Sequence, residues 1–124
     1  MRCGTDICDV SRMREAIQKQ GDKFLNRVFT PKEIQYCETY QISKYERYAA
    51  RFAGKEAVYK AISPLKEQNG NFTEVEILNE ENGKPYVVLH GELSSMIRGD
   101  SIEISLSHEK EYAIAMCVIA DERK

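Results

Sequence analysis

The spacing of apolar and polar positions divides the chain into helical and strand-like stretches. From Ser43 to about Ile62 the apolar residues recur at helical intervals, and from Ser101 to Ile119 they alternate or run on as in strands. In the helical stretch each residue turns about 100° around the axis, so residues four apart share a face. Ala49, Ala53, Ala57 and Ala61 form a stripe of small side chains, with Tyr48, Phe52 and Tyr59 as an aromatic stripe beside it. Glu56 falls between the two stripes and Lys60 almost on top of Ala53. The wheel therefore sets a carboxylate and an ammonium in the face expected to be buried and turns Arg51 and Lys55 roughly the other way. Charges are seldom buried unless they are paired or hold a ligand. Glu56 and Lys60 either pair with each other at i, i+4 or serve a ligand.

The rest of the pattern gives the order of elements. Cys3 to Val10 reads as a strand with Gly4, Asp6, Cys8 and Val10 on one face and Thr5, Ile7 and Asp9 on the other. Asp is disfavoured in strands, so Asp6 is either a turn or cap residue or a metal ligand. Ser11 is expected to cap a helix that runs to about Gln20 and stops at Gly21, with Met13, Ala16 and Ile17 on its core side. Thr30-Pro31-Lys32-Glu33 is a capping box with Pro at the first helical position, and a short helix follows to about Glu38. Ser43-Lys44-Tyr45-Glu46 is a second capping box that opens the long central helix, which Pro64 cannot continue.

Lys66 to Asn71 reads as a polar loop and Phe72 to Leu78 as a strand. Asn82-Gly83 is a strong turn signal, and Tyr86 to Leu89 makes the next strand. Glu92 to Arg98 suggests a short helix. Ser101 to Ser107 alternates, with Ile102, Ile104 and Leu106 on one face. Tyr112 to Ile119 is a continuous apolar strand, either buried on both faces or set against another subunit. The final 121–124 segment reads as a frayed end. Helices grouped early and strands late, joined by tight turns, predict an α+β domain: one small unit over residues 1–124, with a long central helix packed on a largely antiparallel sheet.

Composition adds exclusions. The chain has 124 residues, 42% hydrophobic and 31% charged, with a net charge of −2. That describes a soluble globular domain with no general affinity for nucleic acid or membrane, no apolar run long enough to span a bilayer and no signal peptide. The four cysteines Cys3, Cys8, Cys37 and Cys117 have no zinc-like spacing and read as reduced cytoplasmic thiols filling small core spaces. Between Ser11 and Arg27 the basic residues Arg12, Arg14, Lys19, Lys23 and Arg27 outnumber the acids Glu15 and Asp22. This local excess is either a solvated face or a landing site for an acidic partner.

The candidate chemistry lies in three separated signals: Asp6, the Glu56/Lys60 face, and Ser105-Leu106-Ser107-His108. Were they to meet, two carboxylates would suit a hard cation such as magnesium, which takes one or two carboxylates and fills its shell with water and substrate phosphate. Lysine and histidine would neutralise phosphate oxygens. The chain has no Walker-A loop and no GxGxxG, so ordinary nucleotide-triphosphate chemistry is not indicated.

These residues also fall into a familiar set of motifs. Gly4-Thr5-Asp6 followed by Arg12 resembles GxDxxxxxR, and Phe29-Thr30 with Glu33 resembles FTxxE. Arg51-Phe52-Ala53-Gly54-Lys55-Glu56-Ala57 with Lys60-Ala61 is similar to RFAAKEAxxKA, with Gly54 in place of an alanine. Gly83-Lys84-Pro85 matches a GKP turn, and Ser105-Leu106-Ser107-His108 with Tyr112-Ala113 resembles SxSHxxxYA. Five motifs in order over nearly the whole chain resemble the small bacterial holo-acyl-carrier-protein synthases, a type of 4′-phosphopantetheinyl transferase.

The resemblance implies that family's fold and a magnesium-dependent reaction. A serine of apo-acyl carrier protein attacks the β-phosphate of coenzyme A, the phosphopantetheine arm moves to the serine, and adenosine 3′,5′-bisphosphate leaves. The product is holo-carrier protein for fatty acid biosynthesis in the cytoplasm. It implies Asp6 and Glu56 as magnesium ligands and Lys60 on the coenzyme A phosphates. His108, with Ser107 beside it, falls near those phosphates or the attacking hydroxyl, and Arg51 holds the nucleotide from a neighbouring subunit of a homotrimer. Arg12, Arg14 and Lys23 would meet the acidic carrier, with Met13 and Ile17 adding apolar contact if that face is not all core. The base that takes the serine proton is open between His108, metal-bound water, Glu56 and Asp6 acting through water. A metal-bound carboxylate is a poor base, which favours the water. Two other readings remain: a non-catalytic carrier-binding module, and a magnesium-dependent pyrophosphate hydrolase.

Overall fold

The computed structural model of the protein describes residues 1–62, 71–97 and 101–120. The expectations for the 66–70 loop, Arg98 and the 121–124 end lie outside these residues. The elements run β1 (Arg2–Asp9), α1 (Val10–Gln20), α2 (Asp22–Val28), α3 (Pro31–Glu38), α4 (Lys44–Ile62), a 3₁₀ turn (Phe72–Glu74), β2 (Val75–Asn79), β3 (Pro85–Leu89), α5 (Gly91–Met96), β4 (Ile102–His108) and β5 (Tyr112–Ile119).

Local chemistry accounts for most of the boundaries. Asp9, not Ser11, caps α1: its Oδ1 accepts the backbone N–H groups of Ser11 and Arg12 at 2.9 and 3.3 Å. Gly21 then adopts φ +63° and ends the helix. The same residue starts α2, a helix whose short, charge-rich stretch carries no clear period and which the pattern did not predict. The Thr30–Glu33 capping box forms as expected. The second box does not use its side chains that way: Ser43 Oγ accepts from Arg47 Nε at 3.1 Å, and the Glu46 carboxylate reaches His108. Gly83, at φ +93°, supplies the turn between β2 and β3.

All strand pairs are antiparallel, but they form two sheets, β1-β5-β4 and β2-β3. Helix α4 lies between them. It packs on the larger sheet through β1, β5 and β4, and on β2, α3 and α1 elsewhere. Its small residues allow this: Ala53, Ala57 and Ala61 are buried with Ile104, Ala115, Cys117 and Ile119. A Cβ added to Gly54 would stand 2.5 Å from Ile77 and 3.2 Å from Ile104 and Leu106.

Enclosure on nearly every side overturns the wheel reading of α4. Arg51 and Lys55, expected to point outward, are 3% and 0% exposed. Glu56 is half-buried and Lys60 exposed. Lys55 is fully satisfied inside. Its Nζ lies 2.8 Å from Glu33 Oε1 and donates to the carbonyls of Val75 (2.5 Å) and Phe72 (3.1 Å). Glu33 in turn accepts the N–H of Thr30 at 2.9 Å and of Ile77 at 2.7 Å, tying α3, α4 and β2 together.

Strand β5 turns Ala113, Ala115, Cys117 and Ile119 inward. Tyr112, Ile114 and Met116 face outward at 45–54% exposure, beside Ile7 at 62%, so β5 is not buried on both faces of one chain. Met13 and Ile17 are core, and Cys3 is exposed rather than a core filler.

Candidate active site

The first candidate site is built by close approach of β1 and α4. A Cβ at Gly4 would lie 2.1 Å from the Ala57 carbonyl oxygen and 2.8 Å from the Ala61 nitrogen, so only glycine lets the strand and helix meet. Two residues further along β1, Asp6 faces the same helix. Lys60 Nζ reaches Asp6 Oδ1 at 2.9 Å and the Thr5 carbonyl at 3.1 Å. Lys60 is therefore tied to Asp6 rather than to Glu56 at i, i+4. The Glu56 carboxyl is held above its ordinary range, first by burial and then by the Asp6 carboxylate, with Lys60 opposing. The half-buried Cys8 thiol is pushed to about 11, mainly by burial and then by Asp6 and Asp9, against Arg12, with Glu56 adding to the rise.

Two carboxylates thus share one partly dry, electronegative corner with one exposed ammonium beside them. Oxygen donors only, open to solvent on one side, suit a hard cation that keeps waters and takes a phosphate. With no metal bound, the thiol stays protonated at neutral pH. Among the described residues no group of three or more His, Cys, Asp or Glu side chains could hold a metal. The described residues therefore form no all-protein metal cage, and the two carboxylates leave most of a cation's shell to other oxygens.

The second candidate site lies on the other flank of α4. A cavity of about 140 Å³ is lined by Tyr36, Arg47, Arg51, Asn79, Pro85 and His108, among others. The Arg51 guanidinium lies 4.0 Å over the Tyr36 ring and donates through Nη2 to Asn79 Oδ1, while its buried Nε has no hydrogen-bond partner among the described residues. Arg47 donates to the Tyr36 hydroxyl at 2.8 Å and lies 3.6 Å over Tyr40. Two guanidinium groups and an imidazole around one hollow suit an anion, and phosphate above all.

The two sites are not one in this chain. Arg51 and Glu56 point about 140° apart on α4. In register, Asp6, Ala115 and Leu106 form one row across the sheet, and Cys8, Ala113 and His108 the next. His108 is thus separated from β1 by two strand spacings, roughly 10 Å. Asp6, Glu56 and Lys60 come together as expected, and His108 instead joins Arg51. Ser107 lies on the outer sheet face opposite Ile114, turned from the cavity that His108 lines. Arg12, Arg14 and Lys23 are exposed on α1 and α2, with Arg14 5.6 Å from the Tyr45 ring centre. Arg47, Asn79 and Tyr36 went unread in the sequence. The i, i+4 spacing of Arg47 and Arg51 could have pointed to the first, whereas Asn79 and Tyr36 join only through the tertiary fold.

Comparison with known proteins bears on this arrangement. The profile of the 4′-phosphopantetheinyl transferase superfamily matches residues 2–117. The chain belongs to that superfamily. It is 47% identical over 123 residues to the holo-acyl-carrier-protein synthase of Ruminiclostridium cellulolyticum, covering 97% of this chain and 92% of the relative. It is 43% identical over 121 residues to that of Dehalococcoides mccartyi, covering 95% and 97%. Among solved structures, the Chronobacterium ammoniagenes ACPS–CoA complex superposes with a TM-score of 0.84 at 31% identity, covering 98% of each chain. The Helicobacter pylori holo-acyl-carrier-protein synthase in complex with coenzyme A gives 0.82 at 28%, covering 95% of this chain and 99% of that one. The phosphopantetheinyl transferase fold is therefore the α+β arrangement described above: one long helix between a three-stranded and a two-stranded sheet.

Proposed function

We propose that this transferase moves the 4′-phosphopantetheine group of coenzyme A onto a serine of apo-acyl carrier protein, in the cytoplasm and for fatty acid biosynthesis. Relatives at up to 47% identity carry that activity in their names, and related structures hold coenzyme A. The single observation that carries the reading is the pairing of Asp6 and Glu56 at the β1–α4 contact with Lys60 beside them.

In the reaction, the serine oxygen forms a bond to the β-phosphorus, and the bond from that phosphorus to the bridging oxygen breaks. The serine gives up its proton to a water in the site, and adenosine 3′,5′-bisphosphate leaves with the electron pair. Asp6 and Glu56 would hold magnesium, which supplies charge neutralisation to the diphosphate when bound. Lys60 adds an ammonium to the phosphate oxygens, at the cost of its contact with Asp6. Arg51 and Arg47 hold the phosphates of the nucleotide end, and His108 faces the phosphates or the attacking hydroxyl.

The enzyme works as a homotrimer with active sites between subunits. Two features support this reading. The carboxylate corner and the arginine cavity face different sides of α4, and two chains meeting at an interface would bring the corner of one to the cavity of the other. The outer face of the larger sheet also exposes Ile7, Tyr112, Ile114 and Met116 together, a patch that monomers seldom leave open. The exposed Arg12, Arg14 and Lys23 face the acidic carrier, without help from the core residues Met13 and Ile17.

Mass spectrometry of apo-carrier protein mixed with enzyme, coenzyme A and magnesium tests the proposal. One phosphopantetheine added to the carrier is expected. An unmodified carrier with no nucleotide released would favour a binding module. Release of the bisphosphate without any carrier present would favour a pyrophosphate hydrolase.

A further inference from the structure

His108 ends β4 on the face turned toward α4, and Glu46 rises to it from the first turn of that helix. His108 Nδ1 and Glu46 Oε1 are 2.9 Å apart, with the two side chains 27% and 21% exposed. A carboxylate can only accept, so Nδ1 must carry the hydrogen. In the neutral ring the lone pair then sits on Nε2.

The basic residues beside Glu46 on α4 are engaged elsewhere. Lys44 is paired with Glu38 at 3.2 Å. Arg47 turns away from Glu46, to Ser43, Tyr36 and Tyr40. Glu46 has no other hydrogen bond or ion pair among the described residues. It does not line the arginine cavity, whereas His108 does.

We propose that Glu46 is a positioning residue for His108: it fixes the Nδ1–H tautomer and the ring's direction, so that Nε2 is the nitrogen offered to the cavity beside Arg47 and Arg51. This rests on the reading that His108 faces the coenzyme A phosphates or the attacking hydroxyl. A ring held this way presents a lone pair to a proton or, once charged, a donor to a phosphate oxygen. Without the carboxylate the ring flips and tautomers mix, and part of the enzyme population offers the wrong atom.

A structural role for Glu46 at a helix start would arise from its charge near the N-terminal dipole. Two variants separate the roles. Glu46→Asp keeps the charge but falls short of the ring. Glu46→Gln keeps the length but loses the obligate acceptor. The test is nitrogen NMR of histidine-labelled enzyme at a pH where the ring is neutral, run beside carrier-modification kinetics for both variants and for His108→Ala.

The wild type is expected to hold the Nδ1–H tautomer. Both Glu46 variants are expected to show mixed tautomers, with kcat down roughly tenfold or more and KM for the carrier unchanged. An Nε2–H tautomer in the folded wild type would overturn the proposal whatever the variants do. So would wild-type kcat in both Glu46 variants while His108→Ala is slow. Wild-type turnover in His108→Ala would instead remove the reading of His108 on which the proposal stands.

Discussion

Gly4 lies so close to Ala57 that a single methyl group on it would stand 2.1 Å from the Ala57 carbonyl oxygen. That contact sets the spacing of β1 and α4. Asp6 follows Gly4 by two residues and Glu56 precedes Ala57 by one, so the same spacing sets how the two carboxylates face each other.

Gly4→Ala must push strand and helix apart, because both neighbours are backbone atoms. Overpacking of this kind costs about 1–3 kcal/mol. The variant is expected to be folded but weakened, with a loss of turnover that far exceeds its loss of stability, measured by urea unfolding beside carrier modification. Unchanged turnover in a folded Gly4→Ala would show that the spacing does not matter.

The buried Lys55–Glu33 pair makes a separate prediction about stability. Burial pulls Lys55 below the usual lysine range, against the pull of Glu33. Lys55→Met leaves the Glu33 carboxylate dry and without its cation, a loss of about 3–5 kcal/mol. Adding Glu33→Gln removes that stranded charge and keeps an acceptor for the Thr30 or Ile77 N–H. The double variant is therefore expected to be more stable than Lys55→Met alone, read by a double-mutant cycle in urea. A double variant no better than the single one would mean the pair is not coupled as its geometry requires.

Glu56 gives a pH dependence with a definite sign. Its carboxyl is raised by burial and by Asp6, so the folded protein binds that proton more tightly than the unfolded chain does. The group opposes folding at neutral pH, and the opposition fades as pH falls through the raised value toward the ordinary carboxylate range. In the absence of divalent cations, Glu56→Gln is expected to melt higher than wild type at pH 7. The gap should close on acidification. A gap that widens as pH falls would reverse the sign and refute the crowding of the two carboxylates.

Much of this was legible in the sequence, and the failures have a common physical cause. The alternation of Ile102, Ile104 and Leu106 and the Thr30 capping box act locally, and both gave the right elements. Asp6, Glu56 and Lys60 were singled out because charged residues interrupted otherwise apolar or small surfaces, and they do meet. The helical wheel failed at Arg51 and Lys55. It assumes one buried face, whereas α4 is enclosed by two sheets and two helices, so even its far side is inside. No pattern could place Lys55 against Glu33, since that contact joins positions 22 apart through tertiary packing. His108 was expected with the carboxylates, but strand order set it across the sheet, and strand order is not written in hydrophobic spacing.

Shared sites predict rescue by mixing. Asp6→Asn destroys the carboxylate corner and Arg51→Ala the cavity, and each variant alone should be inactive. Unfolded and refolded together in equal amounts, they would, in the proposed trimer, give mixed assemblies in which about a quarter of the interfaces pair an intact corner with an intact cavity. Activity should recover to about that fraction of wild type. No recovery from well-folded mixed trimers would place both halves of each site in one chain.

The most direct test of the central claim is a calorimetric titration of magnesium into the enzyme holding coenzyme A, with Asp6→Asn and Glu56→Gln alongside. One magnesium per active site is expected to bind to the wild type and to be lost in either variant. Magnesium bound as tightly by both variants as by the wild type would contradict it.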